Sequence, residues 1–464
     1  MQTGDVRVTP PSHLPLAPGP SFTALVRRLP LLRSDRIRFF WELWKEYGDV
    51  VRFDVFGRRI HLLTNPEHLQ YVLEKNWRNY RKADSFNRER QVVLGDSLLT
   101  MHGPAWHARR RLAQPAFGRK ELDGLVAVMS EVADRTFDTW APLAGRAEPF
   151  DLAAELTGLT IAVAGGTLFG VDLGEDAPAI RQAFGFIVEE ASRRMASLVR
   201  TPLWIPSPRN LRYRRMIRVL DRIVYRIIEA GRHQERTGSD VLSRLLAARD
   251  EETGLGMSDL DLRNEVMTFL VAGHESTASS LAWTTWLVAT HPAVEERLRA
   301  EVAEVLGDRL PRADDLPRLE YTRWTIEESL RLYPPSWLFD RYAIEDDAVG
   351  GYRIPAGSEL VFLPWIQHRL PSCWDEPEAF RPERFAPGAD EGRPTYAYCP
   401  FGGGPRTCIG NRFALLESQV ILARFLQRYR VEIVPGHPIE PFTLIALRPK
   451  HGVLARLAVA GGRT

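Results

Sequence analysis

Cysteine is scarce in this sequence: Cys373, Cys399 and Cys408 are the only three in 464 residues, and no two form a CxxC pair. That excludes a disulfide framework and favours a reducing compartment, so a cytoplasmic location is expected. Charge of neither sign is in excess. The 61 Lys+Arg stand against 59 Asp+Glu, a net charge of +2, which gives no global reason to expect nucleic acid or an anionic membrane as partner, although local basic patches stay open. The first twenty residues lack the charged start and apolar core of a signal peptide and are too polar and proline-rich for an anchor helix. Residues 1–20 therefore read as a proline-rich flexible tail. Long apolar runs are also missing. The most apolar stretch, Leu156 to Val171, is broken by Gly158, Gly165 and Gly166 and falls short of a membrane span, so it reads as a buried helix. No internal repeat is visible.

What is present is a mainly α pattern with a small β-rich part. Residues 49–65 carry β-branched and aromatic residues around Gly57, which predicts a hairpin, and residues 350–363 give a second strand signal with Pro355 and Gly357 at its turn. From about Pro66 to about Leu332 helical periodicity predominates. One helix stands out. Ser258 and Asp261 make a capping-box start and nothing interrupts the pattern before His291-Pro292, which predicts roughly 50 Å of helix. Near its middle AGHEST, Ala272 to Thr277, sets a carboxylate and two hydroxyls beside small residues, a poor prescription for simple core packing.

The most specific segment is FGGGPRTCIG, Phe401 to Gly410, followed by NRFALLESQVILARFL. Its glycines permit tight turns and close approach to a flat ligand, and Pro405 stiffens the loop. Cys408 falls just before a helix start, where backbone N–H groups favour a thiolate. With this loop the sequence resembles the cytochrome P450 superfamily of soluble bacterial type, over roughly Pro66 to Lys450. The resemblance implies a cytochrome P450 fold as one domain from 21 to 464, the β-rich part being 49–65, 350–363 and C-terminal strands. Haem b would lie between the long central helix and the cysteine loop, its iron held by the Cys408 thiolate.

Further motifs carry the same resemblance. EESLRLYPP holds Glu328 and Arg331 at i,i+3, a pair worth little if exposed; with Arg384 of PERF it matches the family's structural charge network. GPAWHARRR matches WxxxR, implying that Trp106 and Arg110 reach a haem propionate. Arg341 and Arg406 are implied to do the same, with Ala272, Phe401 and Gly410 also against the cofactor. The oxygen-activating acid and alcohol become Glu275 and Ser276, serine standing where the family has threonine; Thr277 is a possible substitute, turned about 100° away. His274 has no catalytic part. The implied pocket draws on Phe269, Ala272, Trp337, Leu338, Phe339, Leu444 and Ile445, suited to a fatty acid, terpenoid or polyketide.

The implied reaction inserts one oxygen atom from dioxygen into an apolar substrate. Electrons would come from NAD(P)H through ferredoxin and ferredoxin reductase or flavodoxin, with no membrane anchor and a monomeric enzyme. A basic docking face is expected from Arg109, Arg111, Arg119, Lys120 and Arg412. Competing readings are a haem-thiolate peroxygenase, an isomerase or dehydratase, and a non-catalytic haem sensor; the Glu275-Ser276 pair speaks for dioxygen chemistry.

Overall fold

The computed structural model describes residues 13–55, 57–144, 148–195, 202–233, 240–249 and 254–460. They fall into two compact units, the smaller within 1–88, 337–377 and 392–408, the larger within 89–336, 378–391 and 409–464.

The smaller unit contains the predicted hairpin. Val50–Val55 pairs antiparallel with Arg58–Leu63, which lies parallel to Glu359–Phe362; Phe339–Ala343 and Tyr80–Arg81 complete a five-stranded sheet. The 350–363 signal divides at its turn: Tyr352–Ile354 pairs with Asp347–Val349, whereas Glu359–Phe362 joins the larger sheet. All four residues of the latter strand are buried, as a strand covered on both faces requires.

The tail reading needs correction. Residues 1–12 lie outside the described residues, but Pro15 and Pro18 accept backbone bonds from Arg353 (2.9 Å) and Arg52 (2.8 Å), and Ala17 is buried. Proline offers no N–H yet keeps its carbonyl, so a proline-rich segment can line a sheet edge as acceptor.

The larger unit is built around the long helix, Asp259–Thr290, 32 residues with the Ser258–Asp261 capping box in place. Leu262 to Leu270 and Thr277 to Thr285 are buried without a break, so the helix is enclosed on every side along those stretches. It packs against Leu152–Ala164, where the Thr160 hydroxyl donates to the His274 carbonyl at 3.1 Å. The segment Leu152–Phe169 is long and apolar enough to cross a bilayer, and 61% of it is buried in the structure. The C-terminal strands belong to this unit instead of the β-rich one. Leu454–Val459 lies between Phe150–Asp151 and Tyr429–Ile433, and Pro441–Thr443 pairs with Leu447–Pro449.

Candidate functional site

In the smaller unit the cysteine loop is shaped by backbone contacts. Cys408 N–H donates to the Phe401 carbonyl at 3.0 Å, and the Thr407 hydroxyl to the Gly404 carbonyl at 2.7 Å. Gly404 has φ +64, and a Cβ there would sit 1.8 Å from the Leu73 carbonyl oxygen. Only glycine fits. Cys408 is exposed, whereas Cys399 is buried with its thiol pushed up to about 12 by that burial. The helix Asn411–Arg428 begins three residues after Cys408, with Gly410 at its cap.

Two arginines of the same unit are neighbours, Arg341 buried and Arg406 half-buried. Arg341 donates to the Asp340 carbonyl at 2.7 Å, and burial lowers its pKa. Arg406 is pulled down to about 10, chiefly by burial and then by the charge of Arg341, with Asp340 opposing. Neighbouring guanidiniums that disfavour each other's charge are suited to an anionic ligand.

In the larger unit the long helix has an opening where the sequence places AGHEST. Ala272 is exposed and Gly273, Glu275 and Ser276 keep partial exposure between the two buried stretches. The Ser276 hydroxyl donates to the Ala272 carbonyl at 2.9 Å. Burial raises Glu275 to about 7, against a smaller opposing pull from Arg448. Thr277 points elsewhere: it is buried, back-bonded to the Gly273 carbonyl at 3.3 Å, and beside Glu417. Burial pushes the Glu417 carboxyl well above its usual range, with the Thr277 hydroxyl opposing. Sequence reasoning missed Glu417, whose signal was a lone carboxylate between Phe413, Leu416 and Val420 on a helix. His274 is a core residue, its Nδ1 2.5 Å from the Leu270 carbonyl and its pKa lowered to about 4 by burial.

Trp106 and Arg110 share the helix Gly103–Ala113. The indole N–H donates to the Leu98 carbonyl at 3.1 Å and Arg110 to Gln114 at 3.2 Å, so the geometry gives both a protein acceptor where a propionate contact was expected. Leu98 is gripped at its other end too, its N–H donating to Glu265 at 2.8 Å. The basic docking face is corrected at Arg109, which is buried and paired with Asp261 and with Glu265 at 3.6 Å. Arg412 pairs with Asp123 at 2.8 Å. Arg111, Arg119 and Lys120 are exposed, Arg119 lying 3.8 Å from Asp123.

The charge network is assembled as expected, and buried. Arg331 donates to Glu328 at 2.7 and 2.8 Å, Arg384 at 3.3 Å and the Arg381 N–H at 2.9 Å. Both Glu328 and Arg331 side chains are 0% exposed. A pair of this kind, stripped of water, is a different object from an exposed i,i+3 pair.

Among the pocket candidates, Leu444 clusters with Phe184, Val188, Val271 and Phe442. These four were not foreseen, because nothing local links positions so distant in the chain. Phe269 packs on Phe117 with ring centroids 5.4 Å apart. Ile445 is 38% exposed. Trp337, Leu338 and Phe339 lie in the smaller unit, where Phe339 stacks on Phe362 as sheet core.

A family model described as Cytochrome P450 matches residues 17–455. The chain is 35% identical to cyclooctatin synthase of Streptomyces melanosporofaciens over 433 residues, 93% of this chain and 91% of that protein. It is 36% identical to cyclooctat-9-en-7-ol 5-monooxygenase of the same organism, over 84% of each. Pentalenene oxygenase of Streptomyces avermitilis is 33% identical, over 86% of this chain and 87% of that protein. With a model matched over nearly its whole length and relatives of this similarity, the chain belongs to the cytochrome P450 family.

Proposed function

We propose that this P450 monooxygenase inserts one oxygen atom from dioxygen into an apolar terpenoid, with electrons from NAD(P)H delivered by separate partners, a ferredoxin and its reductase. The observation that carries the reading is the opening at Ala272–Ser276 between the two enclosed stretches of the long helix, with the Phe184, Val188, Val271, Phe442 and Leu444 cluster in the same unit. Two relatives named for terpenoid oxygenations support the substrate class.

The donor set fits haem. An exposed cysteine in a glycine-tight loop would hold the iron as its thiolate, and the neighbouring guanidiniums of Arg341 and Arg406 would hold propionates. Trp106 and Arg110 are further candidates for a propionate on their motif, each then giving up its present acceptor. Bound through Cys408, haem supplies dioxygen binding and O–O cleavage.

The chain's own residues manage protons and water. Glu275, raised to about 7, holds a proton on its carboxyl near neutral pH and can release it there. Ser276 could carry it onward, its hydroxyl exchanging the donation to the Ala272 carbonyl for one toward the opening. The apolar cluster excludes water and holds a hydrocarbon by shape.

The test is a titration of haem-loaded enzyme with cyclic terpenoids, fatty acids and polyketides, following the haem absorption band as substrate displaces iron-bound water. Terpenoids should shift it at the lowest concentrations. A shift produced by fatty acids alone would remove the terpenoid assignment.

A further inference from the structure

The chain is nearly neutral overall, yet the 26-residue helix Pro208–His233 carries eight arginines against Asp221 and Glu229, and no lysine. Its inner face is apolar, with Leu220, Ile223, Val224, Ile227 and Ile228 buried. The outer face repeats Leu211, Arg215, Arg218, Arg222 and Arg226 at spacings of four, three, four and four. That is one stripe, about 22 Å long at 1.5 Å per residue, and all five side chains are exposed. Asp221 is turned away to Arg263. Among the described residues, Arg226 alone of these four arginines holds a carboxylate, that of Asp176.

An anchor stands at the N-terminal end of the stripe. Trp204 is 75% exposed and Leu211 49%. The turn bearing Trp204 is built onto the helix: Asn210 donates to the carbonyls of Pro202 and Ile205, both at 2.9 Å, and Arg214 to that of Leu203. The indole is therefore presented to solvent by a braced turn.

Guanidinium in place of ammonium suits phosphate, which it binds through paired N–H groups. An acidic protein would account for the arginines but not for a braced tryptophan and leucine at one end. A lipid surface accounts for both, because indole rings settle at the headgroup level while basic residues pair with anionic headgroups. We propose that the face from Trp204 to Arg226 docks on the anionic headgroups of a phospholipid leaflet, the arginines on the phosphates and Trp204 with Leu211 entering the boundary beneath them. This goes beyond the substrate reading and does not depend on it.

The experiment uses haem-loaded, full-length protein with vesicles of phosphatidylcholine alone or of equimolar phosphatidylcholine and phosphatidylserine, the bound fraction read by sedimentation. Binding is expected to the anionic vesicles only, and should fall with salt as the Debye length shortens from ~10 Å at 0.1 M to ~3 Å at 1 M. Each arginine near such a surface is worth roughly a five-fold gain in partitioning. The double variant Arg218→Glu, Arg222→Glu should thus bind at least about 20-fold more weakly. Brominated lipid should quench the wild-type protein more than Trp204→Phe. A normal carbon monoxide spectrum in each variant establishes that it is folded. Absence of binding to anionic vesicles, equal binding to neutral ones, or an unaffected double variant would overturn the proposal. So would a double variant that loses only an acidic protein partner.

Discussion

Removing the Glu328 carboxylate is the perturbation whose size the structure defines best. Four bonds converge on it, two from the fully buried Arg331 guanidinium and one each from Arg384 and the Arg381 N–H. In Glu328→Ala the Arg331 charge stays at 0% exposure without its carboxylate, and breaking a buried pair from one side costs ~3–5 kcal/mol. A folded domain has ~5–15 kcal/mol in total, so the variant should lose a large part of its stability. Arg384→Ala leaves the Glu328–Arg331 pair intact and takes from Glu328 a bond of 3.3 Å, a loss of about 1.5 kcal/mol at that carboxylate. Urea unfolding followed by far-UV circular dichroism, with haem content per protein and turnover per bound haem measured beside it, separates the two variants. Stability and haem content should fall together while turnover per haem is retained. A wild-type unfolding midpoint in Glu328→Ala, or lost turnover at normal haem content, would refute the structural role.

Cys408→Ala should lose the thiolate-type spectrum of the reduced carbon monoxide complex, and its persistence would refute ligation by Cys408. Ser276→Ala should bind substrate normally while diverting electrons to peroxide or water; unchanged product per electron would move the proton step to Thr277 or Glu417. Burial raises Glu265 from the ordinary 4.5 to about 7, with Arg109 and the Leu98 N–H opposing. Folding then takes up a proton between those values and its contribution to stability falls as pH rises through them. Glu265→Gln should remove that part of the slope, and parallel profiles for the two proteins would contradict it. Arg111→Glu with Lys120→Glu should raise the apparent KM for an acidic ferredoxin and spare substrate binding; donor kinetics indifferent to the change would place docking elsewhere.

What was legible from sequence was local or carried by motif. The ends of the long helix follow from Ser258–Asp261 and Pro292, a capping box and a breaker that act within a few residues. Glu328, Arg331 and Arg384 came together because the motif resemblance supplied a partner that helical spacing could not. Long-range pairing was opaque. Arg109 looked like a surface charge, since nothing near it in the chain announces Asp261, 152 positions away. Phe184 and Leu444 were equally unlinked, as burial of an aromatic does not say which aliphatic lies opposite. The Trp106 indole was assigned to a haem propionate on its motif, while its acceptor here is a backbone carbonyl eight residues before it, an atom invisible to side-chain patterning.

The close approach at Gly404 governs how this cysteine loop can be altered. The obstructing atom is a main-chain oxygen of the Tyr71–Lys75 turn, which cannot rotate aside as a side chain would. Randomising the loop should therefore return glycine at 404 in every functional clone. Position 403 would tolerate a side chain only if the Tyr396 ring shifts, because a Cβ there falls 2.2 Å from it. Gly410 differs in its backbone, whose φ of −92 is one that any residue adopts. Engineering of the sulfur's surroundings therefore has almost no freedom on the side from which the loop arrives, because there the constraint is main chain against main chain.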